Sequence, residues 1–152
     1  MHFNMINELK GFQLIQLIVT LAVIAILATI SVPVLTQYQP SLKLNTDAKE
    51  LINNLRLTQQ MTITEQKVYY IEIDTINNEY SIIKAANPTP PIKTIELDSA
   101  INFQEVIDLT DDKVIFNSYG AVSESGQIIL VNSENNIITI NIKPSSYVQM
   151  EK

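Results

Sequence analysis

Two groups of residues have the types that chemistry needs. Asp108-Leu109-Thr110-Asp111-Asp112 is the densest carboxylate cluster, and carboxylate oxygens are the ligands calcium prefers. The spacing matches no EF-hand loop and lacks that loop's glycine. A solvated turn is therefore expected, with no metal. Ser118, Ser123 and Ser125 are hydroxyl nucleophiles in type, but the sole histidine is His2 and there is no cysteine. A serine with no base to take its proton is a poor nucleophile, and the usual zinc ligands are missing as well. With three glycines in the whole chain, there is neither a phosphate-cradling loop nor a Walker pattern. These residue types predict no catalytic residues, no cofactor and no enzyme.

The elements around these residues begin with an apolar run. Phe12 to Val32 is uncharged and is bounded by Pro33; its polar members Gln13, Gln16, Thr20, Thr29 and Ser31 lie near the two ends. The run is long enough for a helix to cross a bilayer. A cleaved secretory signal would have a shorter apolar core and a small-x-small site after it. An uncleaved signal anchor fits hydropathy better, although Lys10 is a weak orientation cue because Lys43 lies not far beyond the other end.

A third reading comes from particular residues. Lys10-Gly11-Phe12 followed by Gln13-Leu14-Ile15-Gln16-Leu17-Ile18 resembles the cleavage region of type IV prepilins. The aliphatic run Val19 to Val32 and Pro33, the twenty-second residue counted from Phe12, also fall where that family places them. The resemblance implies a leader at residues 1–11, cleavage between Gly11 and Phe12 by a prepilin peptidase, and N-methylation of Phe12. It further implies a transmembrane and filament-core helix over residues 12–38, with a helix kink at Pro33. Glycine at the scissile bond suits a narrow protease site because it has no side chain. The implied location is the bacterial inner membrane, single-pass with the globular part extracytoplasmic, and then a pilus or pseudopilus. The implied partners are other pilin or pseudopilin subunits and an inner-membrane assembly platform.

One position departs from the family. Where most members carry glutamate at the fifth residue after cleavage, this chain has Gln16. An amide accepts a hydrogen bond but cannot make the family's ion pair with a neighbour's terminal amine, and it costs less to bury than an ionised carboxylate. Tolerated drift is one explanation. A minor subunit at a filament tip or in initiation, with no axial partner on one side, is the other.

About 115 residues remain beyond the apolar run, enough for a modest core. Pro33 and Pro40 predict a bend or local melt, and Ser41 an N-cap. From Leu42 to about Thr64, Leu44, Ala48, Leu51, Ile52 and Leu55 recur at helical spacing, with Asp47, Lys49, Glu50, Asn53, Asn54 and Arg56 mostly off the stripe. Strands are expected at Val68–Ile73, Tyr80–Ile83, Ile92–Leu97, Ile101–Gln104, Lys113–Phe116, Gln127–Val131 and Ile137–Ile142. The predicted fold is α+β: a long N-terminal helix, half membrane and half amphipathic, packed on an antiparallel β-sheet. Residues 41–152 form the globular domain, with its helix at 41–65.

The segments Val114-Ile115-Phe116-Asn117-Ser118-Tyr119-Gly120 and Ser125-Gly126-Gln127-Ile128-Ile129-Leu130 add a looser resemblance, to the GspH/FimT group of minor pilins and pseudopilins. Both domain glycines are expected where the backbone needs special angles. Some proteins like this group bind DNA in natural transformation, which makes a DNA-uptake pilin the alternative reading. The formal charge is −6, and Ile101 to Lys152 holds three lysines against seven acidic residues. That balance repels phosphates, so nucleic acid is not the expected partner. A membrane-anchored domain unrelated to pili is the third possibility.

Overall fold

The computed structural model describes residues 4–144 and 147–151; His2 and its neighbours Met1 and Phe3 lie outside the described residues, as do Ser145, Ser146 and Lys152 and the side chains of residues 4–11, 30–37 and 147–149. The chain divides into two compact units, Met1–Gln39 and Pro40–Lys152. A single helix, α1, is assigned from Asn4 to Glu65. It is helical at both Pro33 and Pro40, so no local melt replaces it at either. Each proline removes one backbone donor, and hydrogen bonds on either side carry the helix past it. Ser41, expected as an N-cap, therefore lies inside the helix. At the far end Gln66 takes a left-handed conformation (φ 53°), the usual geometry just past a helix terminus.

In the first unit, Phe12–Thr29 has a mean hydropathy of 2.3, and none of it is buried. In the second unit the expected stripe is the core: Leu44, Ala48, Leu51, Ile52 and Leu55 are all at most 7% exposed. Each leucine buried in this way contributes roughly 1.5–3 kcal/mol relative to solvent exposure. The buried face runs on past Leu55 through Thr58 and Thr62, at alternating spacings of four and three. Threonine hydroxyls are tolerated there because each donates back along the helix, Thr58 to Asn54 O at 2.7 Å and Thr62 to Thr58 O at 2.9 Å. Asn54, expected off the stripe, is also buried, and its amide donates to the Tyr80 hydroxyl at 2.7 Å.

The strands form two antiparallel sheets rather than the one expected. Sheet A has the order β3 (Lys93–Glu96), β2 (Glu79–Lys84), β1 (Tyr69–Asp74), β5 (Lys113–Phe116). Sheet B has the order β4 (Ile101–Ile107), β6 (Gly126–Asn132), β7 (Ile137–Lys143), β8 (Tyr147–Glu151). Strand β4 runs three residues past its expected end, with a register shift between Phe103 and Glu105 that lets it keep pairing with β6. Strand β8 was not foreseen; it pairs with β7 from Lys143↔Tyr147 to Thr139↔Glu151. Burial alternates along β1, β6 and β7, as one-sided sheets require. Ile71, Tyr80, Ile82, Val114 and Phe116 of sheet A join Ile101, Phe103, Ile128, Leu130, Ile138 and Ile140 of sheet B and the helix stripe in a single core.

Candidate functional site

The residues singled out at the amino end sit on one exposed helix. Gly11 is helical, Phe12 is 69% exposed, and every described side chain from Phe12 to Thr29 faces outward. Gln13, Gln16 and Thr20 recur at spacings of three and four, and with Leu17 they line a shallow groove on one face. The hydroxyls within the run satisfy themselves: Thr20 donates to Leu17 O at 2.8 Å and Thr29 to Ile26 O at 2.7 Å. Such back-bonding removes most of the cost of a hydroxyl in hydrocarbon. The surface thus offers a long apolar face and two amides, with no ion among its described side chains.

Within the second unit polar contacts tie the helix to sheet A and to the loop between β3 and β4. Lys43 Nζ reaches Asp98 at 3.0 Å, and the Asp98 N–H donates to Asp47 Oδ2 at 2.8 Å. The Ala100 N–H and then Lys43 hold the Asp98 carboxyl below the usual range, whereas burial pushes that of Asp47 up. At the other end Lys84 Nζ donates to Glu65 Oε2 at 2.7 Å, and the Tyr69 hydroxyl donates to the same oxygen at 2.5 Å. Lys84 and then Tyr69 depress the Glu65 pKa, while the Glu65 carboxylate raises that of Lys84. Lys84 also lies 5.3 Å from the Tyr69 ring centre. These solvent-facing pairs fix direction more than they add stability.

The two domain glycines do different work. Gly120 is left-handed (φ 81°), and a Cβ on it would lie 2.6 Å from Ile63 Cδ1; its carbonyl accepts from Gln59 Nε2 at 2.8 Å. This turn presses directly on the helix. Gly126 has no left-handed angle, contrary to expectation. It is small because Leu109 Cγ and Ile107 O lie 2.5 and 2.6 Å from where its Cβ would be. The carboxylate cluster is a strained turn, with Asp108, Asp111 and Asp112 all at positive φ. Its side chains do not converge: Asp111 faces Lys113 at 3.7 Å, and Glu124 takes the Thr110 N–H. Among the described residues no group of three or more His, Cys, Asp or Glu is placed to hold a metal ion. Ser118 is half-buried, Ser123 and Ser125 are exposed, and His2 lies outside the described residues.

One arrangement had no forewarning in the sequence. Lys49, Asn53 and Arg56 form a polar stripe on the helix that meets Met150 of β8. The stripe's spacing was readable, but its neighbour was not, because β8 was unforeseen.

No family model matches the sequence, and no curated protein sequence matches it. Solved structures do match in fold. The minor pseudopilin EpsH of the type 2 secretion system of Vibrio cholerae superposes with a TM-score of 0.61 at 9% identity, over 72% of this chain and 96% of that one. The type IV minor pilin FimU of Pseudomonas aeruginosa gives a TM-score of 0.60 at 11% identity, over 76% and 92%. Those neighbours are a minor pseudopilin and a minor pilin, and at these identities the likeness is one of fold. The chain has the type IV pilin-like α+β fold, in the form found in minor pseudopilins and minor pilins.

Proposed function

We propose that this chain is a minor pilin or pseudopilin, a structural subunit of a type IV pilus or a type II secretion pseudopilus. In this reading the leader 1–11 is removed by prepilin peptidase after Gly11, and the Phe12 amine is methylated. Residues 12–38, bent at Pro33, hold the protein in the inner membrane by a single pass, with domain 41–152 outside the cytoplasm. The apolar helix then leaves lipid for the filament core, drawn by an inner-membrane assembly platform and packed against other subunits. Lipid and filament core are both apolar, so the transfer costs little hydrophobic free energy and packing decides its direction. The observation that carries the reading is one helical assignment holding both a wholly exposed apolar segment, Phe12–Thr29, and the stripe that makes the core of a pilin-like domain. Gln16 supports a place at the tip or in initiation, since an amide leaves no ion pair for a subunit stacked above.

The DNA-uptake alternative finds less support. Between Ile101 and Pro144 the lysines are Lys113 and Lys143, and Lys113 is held by Glu72 at 3.3 Å. The test is co-expression with a prepilin peptidase, followed by mass spectrometry of the membrane-extracted protein. The expected product begins at methylated Phe12, and Gly11→Ala keeps the full-length mass. Retention of Met1 through Gly11 in the unmutated chain, with an active peptidase present, refutes the reading.

A further inference from the structure

An unpaired sheet edge is a template for another strand, and folded proteins blunt their edges. Three of the four edges here are blunted. The outer side of β5 is covered by its own following loop, where Val122 bridges Phe116 and the Ser123 N–H donates to Ile115 O at 2.9 Å. The outer side of β4 is capped by a side chain, Asn78 Oδ1 accepting from the Phe103 N–H at 3.1 Å, and is bent by the register shift nearby. Strand β3 is four residues long, carries Lys93 and follows Pro88, Pro90 and Pro91. Strand β8, five residues long and shortly after Pro144, carries no covering loop, side-chain cap or register shift on its outer side among the described residues. It pairs with β7 on one side, and among the described residues no backbone group pairs with the other.

Beside β8, Lys49, Asn53 and Arg56 of the helix rim a groove of about 280 Å³ whose floor is Ile52 and Met150. Ile52 is buried and Met150 half-buried, while the three rim residues are exposed. Strand alternation turns Glu151 to the face away from Met150, where it accepts from Asn141 Nδ2 at 3.1 Å. Lys43, Lys84, Lys93 and Lys113 all lie against carboxylates, but among the described residues Lys49 and Arg56 make no ion pair. Of the domain's other cations, Lys67 and Lys143 also make no ion pair among the described residues, but neither lines this groove. Lys49 and Arg56 thus stand side by side without a carboxylate partner among the described residues, over an apolar floor beside the unpaired edge of β8.

The geometry points to this groove as a docking site for an extended acidic segment of another protein chain, added as a strand to the outer edge of β8. Backbone pairing with β8 supplies the register-independent part of the contact. Side chains on the helix-facing side of the incoming strand meet Lys49 and Arg56, where carboxylates accept charge-assisted hydrogen bonds. The two cations are seven residues apart, roughly 10 Å along the helix. Carboxylates two or four residues apart on a strand, roughly 7 or 13 Å, reach both with ordinary side-chain freedom.

The probe is a fluorescein-labelled octapeptide of alternating glutamate and valine, titrated by anisotropy against the full chain in a neutral detergent. Saturable binding is expected. The double variant Lys49→Glu with Arg56→Glu should weaken it at least tenfold, while Lys93→Glu should leave it unchanged. Both changed residues are exposed, and an unaltered circular dichroism spectrum checks that the fold is kept. The same peptide methylated on alternate backbone amides should lose binding, because it cannot pair as a strand. The proposal is overturned by absence of saturable binding, by equal binding of the methylated peptide, or by equal binding of a lysine–valine octapeptide. It is overturned as well if an eight-residue oligothymidylate binds as tightly, which would make the groove a phosphate site.

Discussion

Replacing Gly120 by alanine tests how closely the turn after β5 presses on the helix. The left-handed angle alone costs an alanine about 1–2 kcal/mol. The new methyl carbon would lie 2.6 Å from Ile63 Cδ1, 2.7 Å from Ile63 Cγ1 and 3.3 Å from Gln59 Cγ. Ile63 is 49% exposed and has room to swing outward, so the collision belongs at the low end of overpacking costs, about 1 kcal/mol. Displacing Gln59 also weakens its bond to the Gly120 carbonyl, by about 1 kcal/mol. Gly120→Ala should therefore destabilise the domain by about 3 kcal/mol and lower its melting temperature by about 10 °C or more. Urea and thermal unfolding of residues 40–152, followed by circular dichroism, measure both. Adding Ile63→Ala removes the collision but not the backbone strain, so it should recover about 1 kcal/mol. A Gly120→Ala variant as stable as the parent, or no recovery from the second change, refutes the close approach.

Two further outcomes follow from buried and exposed polar groups. Tyr80→Phe leaves the buried Asn54 amide without its acceptor; a loss of about 1–3 kcal/mol in urea unfolding is expected, and an unchanged midpoint would contradict it. Glu65, Asp74 and Asp98 have depressed folded pKa values, Asp74 chiefly through the Asn77 N–H and side chain. Their stabilisation is complete above the unfolded carboxylate range and is lost as pH falls through the lowered folded values. Asp47, raised by burial, works in the opposite sense. With three groups against one, stability should fall on acidification below about pH 4, and Glu65→Gln should flatten that slope; a domain equally stable at about pH 5 and 3 would overturn the assignment.

The amphipathic helix was legible because Leu44, Ala48, Leu51 and Leu55 announce their period in hydropathy alone. The helix was expected as far as residue 65, but the continuation of its buried face was not, because Thr58 and Thr62 read as polar until their hydroxyls are seen bonding back along the helix. Most strands were legible from β-branched runs. Their division into two sheets was not, since the pairings β1–β5 and β4–β6 join residues far apart in sequence and nothing local separates them. Strand β8 was hidden for a similar reason: Tyr147–Glu151 has few β-branched residues and is a strand chiefly through its pairing with β7. Of the candidate site, Gly11, Phe12 and Gln16 come from a linear peptide motif, which is read without a fold and which the cleavage experiment tests. The groove beside β8 was not legible, because one side of it comes from the helix and the other from the last strand. Gly126 was marked correctly as special but for the wrong cause; a sequence shows that a side chain is missing and not what occupies its place.

The change from leucine to threonine along the buried face means that the helix does not grip the sheets evenly. Around Leu44 to Leu55 it is gripped by bulky aliphatic groups. Around Thr58 to Thr62 the seam is thin, with less apolar area to expose on parting. The seam therefore relies on different forces at its two ends: apolar area where the chain enters the domain, and the Gly120 turn with the Glu65, Lys84 and Tyr69 contacts where the helix stops.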